Sequence, residues 1–152
     1  MTPPTAATGR SRGQLGWLIV LLALGAMGIA LYLGITKLSG GNPACGVLHG
    51  CDTVNQSEYA SVFGIPTGLF GALGSGATLI AGLVWWLRAD RRALLAAYVI
   101  GLVSLPFLAW LTYLELFVIE AICIWCVTYA VLVIAGWLVA TWALWRKPEE
   151  TA

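Results

Sequence analysis

The residues of this sequence that could do chemistry are four cysteines, which form two pairs. Cys45 and Cys51 are separated by five residues, and Cys123 and Cys126 are separated by two. Residues three apart share one face of a helix, so the sulfurs of the second pair can bond to each other. The first turn of a helix also offers unpaired N–H groups and a positive dipole potential, which favour the reactive thiolate. The second pair is therefore a candidate for thiol–disulfide exchange.

Two other interpretations of the second pair are open. It could be a static structural disulfide, or all four cysteines could hold zinc in a tetrahedral site. We favour redox exchange because an oxidising compartment competes with zinc for thiolates, and because the five-residue gap is unusual for a zinc site.

The first pair lies in a segment rich in glycine and proline, including Pro43, Gly46 and Gly50, which predicts a mobile loop. Its five intervening residues allow a Cys45–Cys51 disulfide, and a flexible disulfide is easier to attack than a buried one. His49 lies between the two cysteines and is a candidate proton carrier near neutral pH. The simpler interpretation of His49 is an exposed loop histidine with no role.

The composition excludes several classes of protein. Hydrophobic residues make up 60% of the 152 residues and charged residues 10%, against about 45–50% and about 25% in globular domains. A soluble globule of this size could not bury so much apolar surface, which excludes a soluble enzyme or a disordered chain. The net charge of +1 provides no basic surface for phosphate, so nucleic acid is not an expected partner.

Four charge-free runs are long enough to cross a bilayer as helices. They predict an all-α integral membrane protein, a bundle of four transmembrane helices with spans near residues 15–36, 67–87, 93–114 and 122–145. We expect one membrane domain over residues 15–145, a disordered tail over 1–14 and a short polar end over 146–152. A cleaved signal peptide is the alternative for the first span, but a run of about 22 residues is longer than such a segment needs.

The basic residues predict the orientation of this bundle. Four spans put both termini on one side, and that side carries seven of the eight lysines and arginines, whereas Lys37 lies on the other. The basic side is therefore predicted to be cytoplasmic. All four cysteines then lie at the extracytoplasmic face, where disulfide chemistry is permitted.

The loop after the first span also contains a helix signal. Thr53 and Gln56 have the spacing of a capping box, which predicts a short helix over residues 54–63 that ends at Gly64. We expect this helix to lie at the membrane interface, as a lid over whatever binds near Cys126. Tyr129 lies three residues after Cys126 and therefore on the same helical face.

The order of these features resembles the vitamin K epoxide reductase family in its bacterial, stand-alone form. The loop pair is followed by Ser57, then by Phe-Gly-Ile-Pro at residues 63–66, then by the Cys-x-x-Cys that opens the last span. The resemblance covers about residues 15–145. The DsbB type of four-helix disulfide oxidase has the two kinds of cysteine pair in the reverse order.

This resemblance implies a four-helix bundle around a quinone, either menaquinone or ubiquinone. Cys123 and Cys126 would be the active pair on the quinone side, and Cys45 and Cys51 the shuttle pair. The quinone contacts implied by the resemblance are Ser57, Phe63 and Tyr129. The expected partner is a separate DsbA-like protein with a thioredoxin fold, and no metal is expected.

The function expected from these features is that of a membrane thiol:quinone oxidoreductase in the plasma (inner) membrane, with both termini in the cytoplasm. It would reoxidise its thioredoxin-fold partner and so support disulfide formation in secreted proteins. One alternative is an enzyme whose main role is to reduce a quinone or a quinone epoxide. The other is a non-catalytic tetraspan scaffold that is braced by two disulfides.

Overall fold

The computed structural model describes residues 5–47 and 50–146 and consists almost entirely of helix. The five α-helices are α1 (Thr5–Leu38), α2 (Gly50–Gln56), α3 (Thr67–Arg88), α4 (Arg91–Tyr113) and α5 (Ile124–Trp145). All but α2 have the length and apolar composition of membrane spans. The predicted all-α membrane bundle with four transmembrane helices is confirmed.

The four long helices surround a common core. Helix α1 packs against α3 and α5, and α4 packs against the same two helices, so α1 and α4 lie diagonally across the bundle. Small side chains let α1 approach its neighbours, since Ala23, Ala26 and Ala30 are all buried. Many large apolar side chains remain on the outer faces, as expected of a protein whose solvent is lipid.

The contact between α1 and α3 depends on a glycine. A Cβ atom on Gly68 would lie 2.7 Å from the carbonyl oxygen of Ala30 and 2.7 Å from the backbone nitrogen of Gly34. Backbone atoms cannot move aside as a flexible side chain can. Only glycine therefore allows the two helices to approach this closely at the cysteine-bearing end of the bundle.

The first helix begins earlier than the sequence predicts. Residues 5–14, expected to be part of a disordered tail, continue α1 in the direction of the N-terminus. Extending a helix that already exists costs much less than starting one, so a polar flank can remain helical. The polar end is described only at Arg146, and residues 147–152 lie outside the described residues.

The segment between α1 and α3 differs from its prediction in detail. The helix predicted over residues 54–63 is wrong in its bounds, because α2 begins at Gly50 and ends at Gln56. A short 3₁₀ helix (Glu58–Ala60) and a small hairpin of β1 (Ser61–Val62) and β2 (Ile65–Pro66) follow. Phe63 and Gly64 form its turn with φ of 52° and 79°. Positive φ at both central residues suits a two-residue hairpin and cannot continue a helix.

Gly68→Ala should destabilise the protein by about 1–3 kcal/mol, because the new methyl group meets backbone that cannot yield. Thermal unfolding of the purified variant in detergent would measure this as a lower Tm. Gly74→Ala is the matched control on the same helix, since no described atom lies within 4 Å of its added Cβ. The control should match the wild type or exceed it slightly, because alanine favours helix over glycine. Equal Tm values for the two variants would contradict the proposed tight contact.

Candidate functional site

The first cysteine pair forms a disulfide at one end of the bundle. Cys45 lies in the irregular segment after α1 and Cys51 in the first turn of α2, with their Cα atoms 5.7 Å apart. The backbone N–H of Cys51 donates to the sulfur of Cys45 at 3.2 Å. Cys51 is completely buried, whereas Cys45 is half-buried. The disulfide therefore presents its Cys45 side to the outside and its Cys51 side to the protein.

Two aromatic residues hold the chain beside Cys45. The N–H of Ala44 donates to the hydroxyl of Tyr32 at 2.9 Å, and the indole N–H of Trp125 donates to the Ala44 carbonyl at 2.7 Å. The two rings also contact each other, with centroids 5.3 Å apart. Because Tyr32 belongs to α1 and Trp125 to α5, this aromatic clamp ties the disulfide segment to two spans.

Helix α2 is fixed at both of its ends. The ammonium group of Lys37 donates to the carbonyl of Asn55 at 2.6 Å and to that of Ser57 at 3.5 Å. A cation at this position is favoured by the partial negative charge at the C-terminal end of the helix. At the other end, a Cβ on Gly50 would overlap the backbone of Ile122. The start of α2 thus lies directly against the segment that leads into α5.

The second cysteine pair is reduced and lies at the start of α5. Cys123 is the N-cap of the helix, where its sulfur accepts the backbone N–H of Cys126 at 3.4 Å. Cys123 is 1% exposed, and Cys126 is half-buried in the first turn. The pKa of the Cys123 thiol is lowered because the Cys126 thiol hydrogen-bonds its sulfur, an effect that outweighs burial. The Cys126 thiol, together with a smaller contribution from the backbone N–H at the helix N-terminus, therefore favours the thiolate of Cys123.

An acidic side chain that sequence reasoning did not select lies beside this pair. Glu115 is 7% exposed, and its carboxyl oxygen Oε2 accepts the backbone N–H of Cys123 at 3.5 Å. The signal in the sequence is an acid directly after the third charge-free run, eight residues before Cys123.

The backbone after α4 explains how Glu115 reaches the cysteines. Residues Leu114–Val118 form a π-helical turn, in which the N–H of Ile119 donates to the carbonyl of Leu114 at 2.7 Å. The left-handed residue Glu120, with φ of 54°, then turns the chain back. Such wide turns are frequent at functional sites because they reorient a side chain within a helix. Here the turn brings the backbone N–H of Cys123 over the Glu115 carboxyl group.

A cavity of about 180 Å³ opens beside Cys123 and Cys126. Its walls are mainly apolar and come from all four spans and from the segment between α1 and α3. Among the residues predicted to contact a ligand, Ser57 and Tyr129 line it, but Phe63 does not. Phe63 is 98% exposed at the hairpin turn. The polar lining residues that sequence reasoning did not select include Lys37, Asn55, Tyr59, Thr67, Thr112 and Glu115.

The hydroxyl groups of the two predicted lining residues are already engaged. The Tyr129 hydroxyl donates to the carbonyl of Gly71 at 3.1 Å and lies 3.3 Å from the hydroxyl of Ser75. The Ser57 hydroxyl donates to the carbonyl of Val54 at 2.7 Å. Tyr129 therefore contributes mainly its ring to the cavity. His49, the other predicted candidate in this region, lies outside the described residues.

Comparison with known proteins identifies one family. The model of the vitamin K epoxide reductase family matches residues 17–141, which include both cysteine pairs, Glu115 and nearly all of the four spans. No curated protein matches the chain.

Trp125→Phe should make the Cys45–Cys51 disulfide easier to reduce, because the variant keeps an aromatic ring but cannot donate to the Ala44 carbonyl. Loss of one such hydrogen bond, worth about 1 kcal/mol, corresponds to roughly fivefold faster reduction if the segment must open first. Timed alkylation and mass spectrometry after addition of a small dithiol would measure the rate.

Tyr32→Phe removes the other half of the aromatic clamp and should act in the same direction. Trp110→Phe is the matched control, because Trp110 is 57% exposed on α4 and lies outside the clamp. If all three variants are reduced at the wild-type rate, the clamp does not hold the disulfide segment.

Proposed function

The chain belongs to the vitamin K epoxide reductase family, whose members are membrane redox enzymes that act through cysteines, and we propose that it is a thiol:quinone oxidoreductase. The proposed electron donor is a separate, DsbA-like protein with a thioredoxin fold. The proposed acceptor is a membrane quinone, either menaquinone or ubiquinone. The net result would be disulfide formation in secreted proteins.

The observation that carries this proposal is the arrangement of the two cysteine pairs around one contact. The backbone of Gly50 lies against that of Ile122, and the next residue in each segment is a buried cysteine, Cys51 or Cys123. A disulfide and a dithiol at the same end of a bundle are placed for thiol–disulfide exchange with each other. A scaffold braced by disulfides has no need of a reduced pair that opens into a cavity.

The proposed relay follows the exposure of the four sulfurs. One thiol of the partner protein attacks the Cys45–Cys51 disulfide on its half-buried Cys45 side, which leaves Cys51 as the released thiolate. The second thiol of the partner then attacks the bond between the partner and Cys45, so the partner leaves as a disulfide and Cys45 becomes a free thiol. Cys51 then attacks Cys123 of an oxidised Cys123–Cys126 pair, and Cys126 leaves. Cys45 resolves the mixed Cys51–Cys123 bond, so the first pair is a disulfide again and the second pair is a dithiol. Each exchange moves two electrons without loss of atoms.

The cavity fits a quinone in its chemistry. Its apolar walls suit a flat ring, and the ring of Tyr129 supplies one aromatic surface. The amide of Asn55, a buried residue that lines the cavity, could donate to a carbonyl oxygen. When bound, the quinone supplies the two-electron acceptor for the Cys123–Cys126 dithiol. Phe63 would serve this site only if the hairpin folded over the cavity.

Cys126→Ser is the variant that tests this function. The purified wild-type protein should reduce a soluble quinone when it is supplied with a reduced thioredoxin-fold protein or a small dithiol. Cys126→Ser should abolish quinone reduction with both reductants. Its Cys123 thiolate can still attack the Cys45–Cys51 disulfide, and the resulting Cys51–Cys123 bond should accumulate because Cys126, the thiol that breaks this bond from the side of the second pair, is missing. Quinone absorbance measures the first effect, and mass mapping without reductant measures the second.

Cys45→Ala is the matched control for this experiment. It should lose activity with the protein donor but keep part of the activity with a small dithiol, which can reach Cys123 directly. Absence of quinone reduction by the wild type, with both pairs resistant to thiols, would favour the scaffold instead. Rapid reduction of a quinone epoxide without a thioredoxin-fold donor would favour an epoxide reductase.

The proposed location is the plasma (inner) membrane, with both termini cytoplasmic and the cysteines at the extracytoplasmic face. Arg12, Arg88, Arg91, Arg92 and Arg146 lie toward the end of the bundle away from the cysteines, as a cytoplasmic end requires. A membrane-impermeant thiol reagent applied to intact cells should label Gly41→Cys but not Ala89→Cys, each in a variant whose native cysteines are serines. The reverse labelling pattern would overturn this orientation.

A further inference from the structure

We propose that Glu115 is the proton acceptor of the second cysteine pair, and that it carries the proton of the Cys126 thiol to the electron acceptor in the cavity. This inference rests on the proposed function and assigns a catalytic residue to it. Three observations carry the assignment. They are the contacts of the carboxyl group, its place in the cavity wall, and the lack of an ion-pair partner for it among the described residues that line the cavity.

The contacts of Glu115 connect it to the reacting sulfurs. Its Oε2 accepts the backbone N–H of Cys123 at 3.5 Å, and Cys126 lines the same cavity as the carboxyl group. A proton acceptor must reach the proton that it removes directly or through one water, and the shared cavity gives Glu115 this access to Cys126. The N–H of Cys123 fixes the carboxyl group from the other side.

The position of Glu115 also suits delivery of the proton. Glu115 lines the same cavity as Cys123 and Cys126, so a molecule that accepts electrons from the sulfurs contacts the carboxyl group too. The π-helical turn directs the side chain inward and removes it from solvent, to 7% exposure. The Glu115 carboxyl group, rather than a water molecule, is therefore the group beside the cysteines that can take up the thiol proton.

A purely structural role does not account for this burial. Lys37, the one cation among the described residues that line the cavity, donates to the carbonyls of Asn55 and Ser57. The other titratable groups in the wall are the phenols of Tyr59 and Tyr129 and the two cysteine thiols. A buried carboxyl group without a cation is costly and is retained where its protonation is used.

Oxidation of the second pair releases two protons as well as two electrons. The Cys123 thiol releases its proton to water and becomes the capped thiolate, and the Glu115 carboxylate takes the proton of Cys126. The Cys123–Cys126 bond forms as two electrons pass to the quinone. Glu115 then returns its proton to one oxygen of the reduced acceptor, whose second proton comes from water. Two thiols have become one disulfide, and two electrons and two protons have been transferred.

Glu115→Gln preserves the shape of the side chain and its ability to accept the Cys123 N–H, but it cannot take a proton. In wild-type and variant proteins with a reduced second pair, the rate of quinone reduction should fall by about a hundredfold in the variant, as is usual on loss of a general base. Reduction of the Cys45–Cys51 disulfide by a small dithiol should keep its wild-type rate. Glu58→Gln, which changes an exposed acid outside the cavity lining, is the matched control and should remain active.

A second measurement needs no quinone. Oxidation of the reduced pair by a small-molecule disulfide should leave the Cys126 proton on Glu115, which infrared difference spectroscopy detects as a new protonated-carboxyl band. The band should be absent from Glu115→Gln and present in Glu58→Gln. If the Gln variant does not fold, Glu115→Ala should be inactive and should regain quinone reduction when formate is added, because formate replaces the missing carboxylate.

The outcomes separate this inference from the function on which it rests. A wild-type protein that reduces no quinone overturns both. A wild-type protein that reduces quinone, with an equally active Glu115→Gln and no carboxyl band, overturns the role of Glu115 alone. A slow Gln variant that also lacks the band supports the proton acceptor.

Discussion

The backbone contact between Gly50 and Ile122 is the constraint on which the arrangement of the cysteines depends. A Cβ at Gly50 would overlap the backbone of Ile122, so only glycine allows the start of α2 to lie this close to the approach to α5. Cys51 and Cys123 follow this contact by one residue each, and both are buried. The Lys37 ammonium group and the aromatic clamp then fix the rest of the disulfide segment, so that its exposed part is largely Cys45 and its neighbours.

Much of this fold could be predicted from the sequence, because the membrane imposes a simple rule. A span must be apolar for about 20 residues, so the charge-free runs locate the four long helices directly. The position of all four cysteines at one end follows from the order of the spans. The bounds of α2 could not be predicted, because they depend on tertiary partners, namely Lys37 at one end and Ile122 at the other. The hairpin also requires a positive φ at Phe63, and the capping-box spacing of Thr53 and Gln56 does not predict this conformation.

The cysteines of the site could be predicted from the sequence, whereas the other residues around the cavity could be predicted only in part. Cysteine spacing identifies both pairs without knowledge of the fold, since the chemistry of a thiol depends on few neighbours. Ser57 and Tyr129 line the cavity, but their hydroxyls bond to Val54 and Gly71, which no spacing rule indicates. Glu115 was missed because regular helical geometry does not bring a residue at the end of α4 beneath Cys123. The π-helical turn and the left-handed Glu120 provide that geometry, and neither leaves a clear mark in the sequence.

The N-terminal capping of α5 explains how a reactive thiol and an apolar cavity can share one wall. A cation beside Cys123 would also stabilise a thiolate, but it would place a strongly hydrated charge where an apolar ring is proposed to bind. The backbone N–H of Cys126 stabilises the sulfur without any net charge. Lys37, the one cation among the described residues of the wall, donates to the carbonyls at the end of α2. Because a helix end rather than a cation activates Cys123, the wall beside the sulfur holds the Glu115 carboxyl group without a positive charge that would keep it ionised.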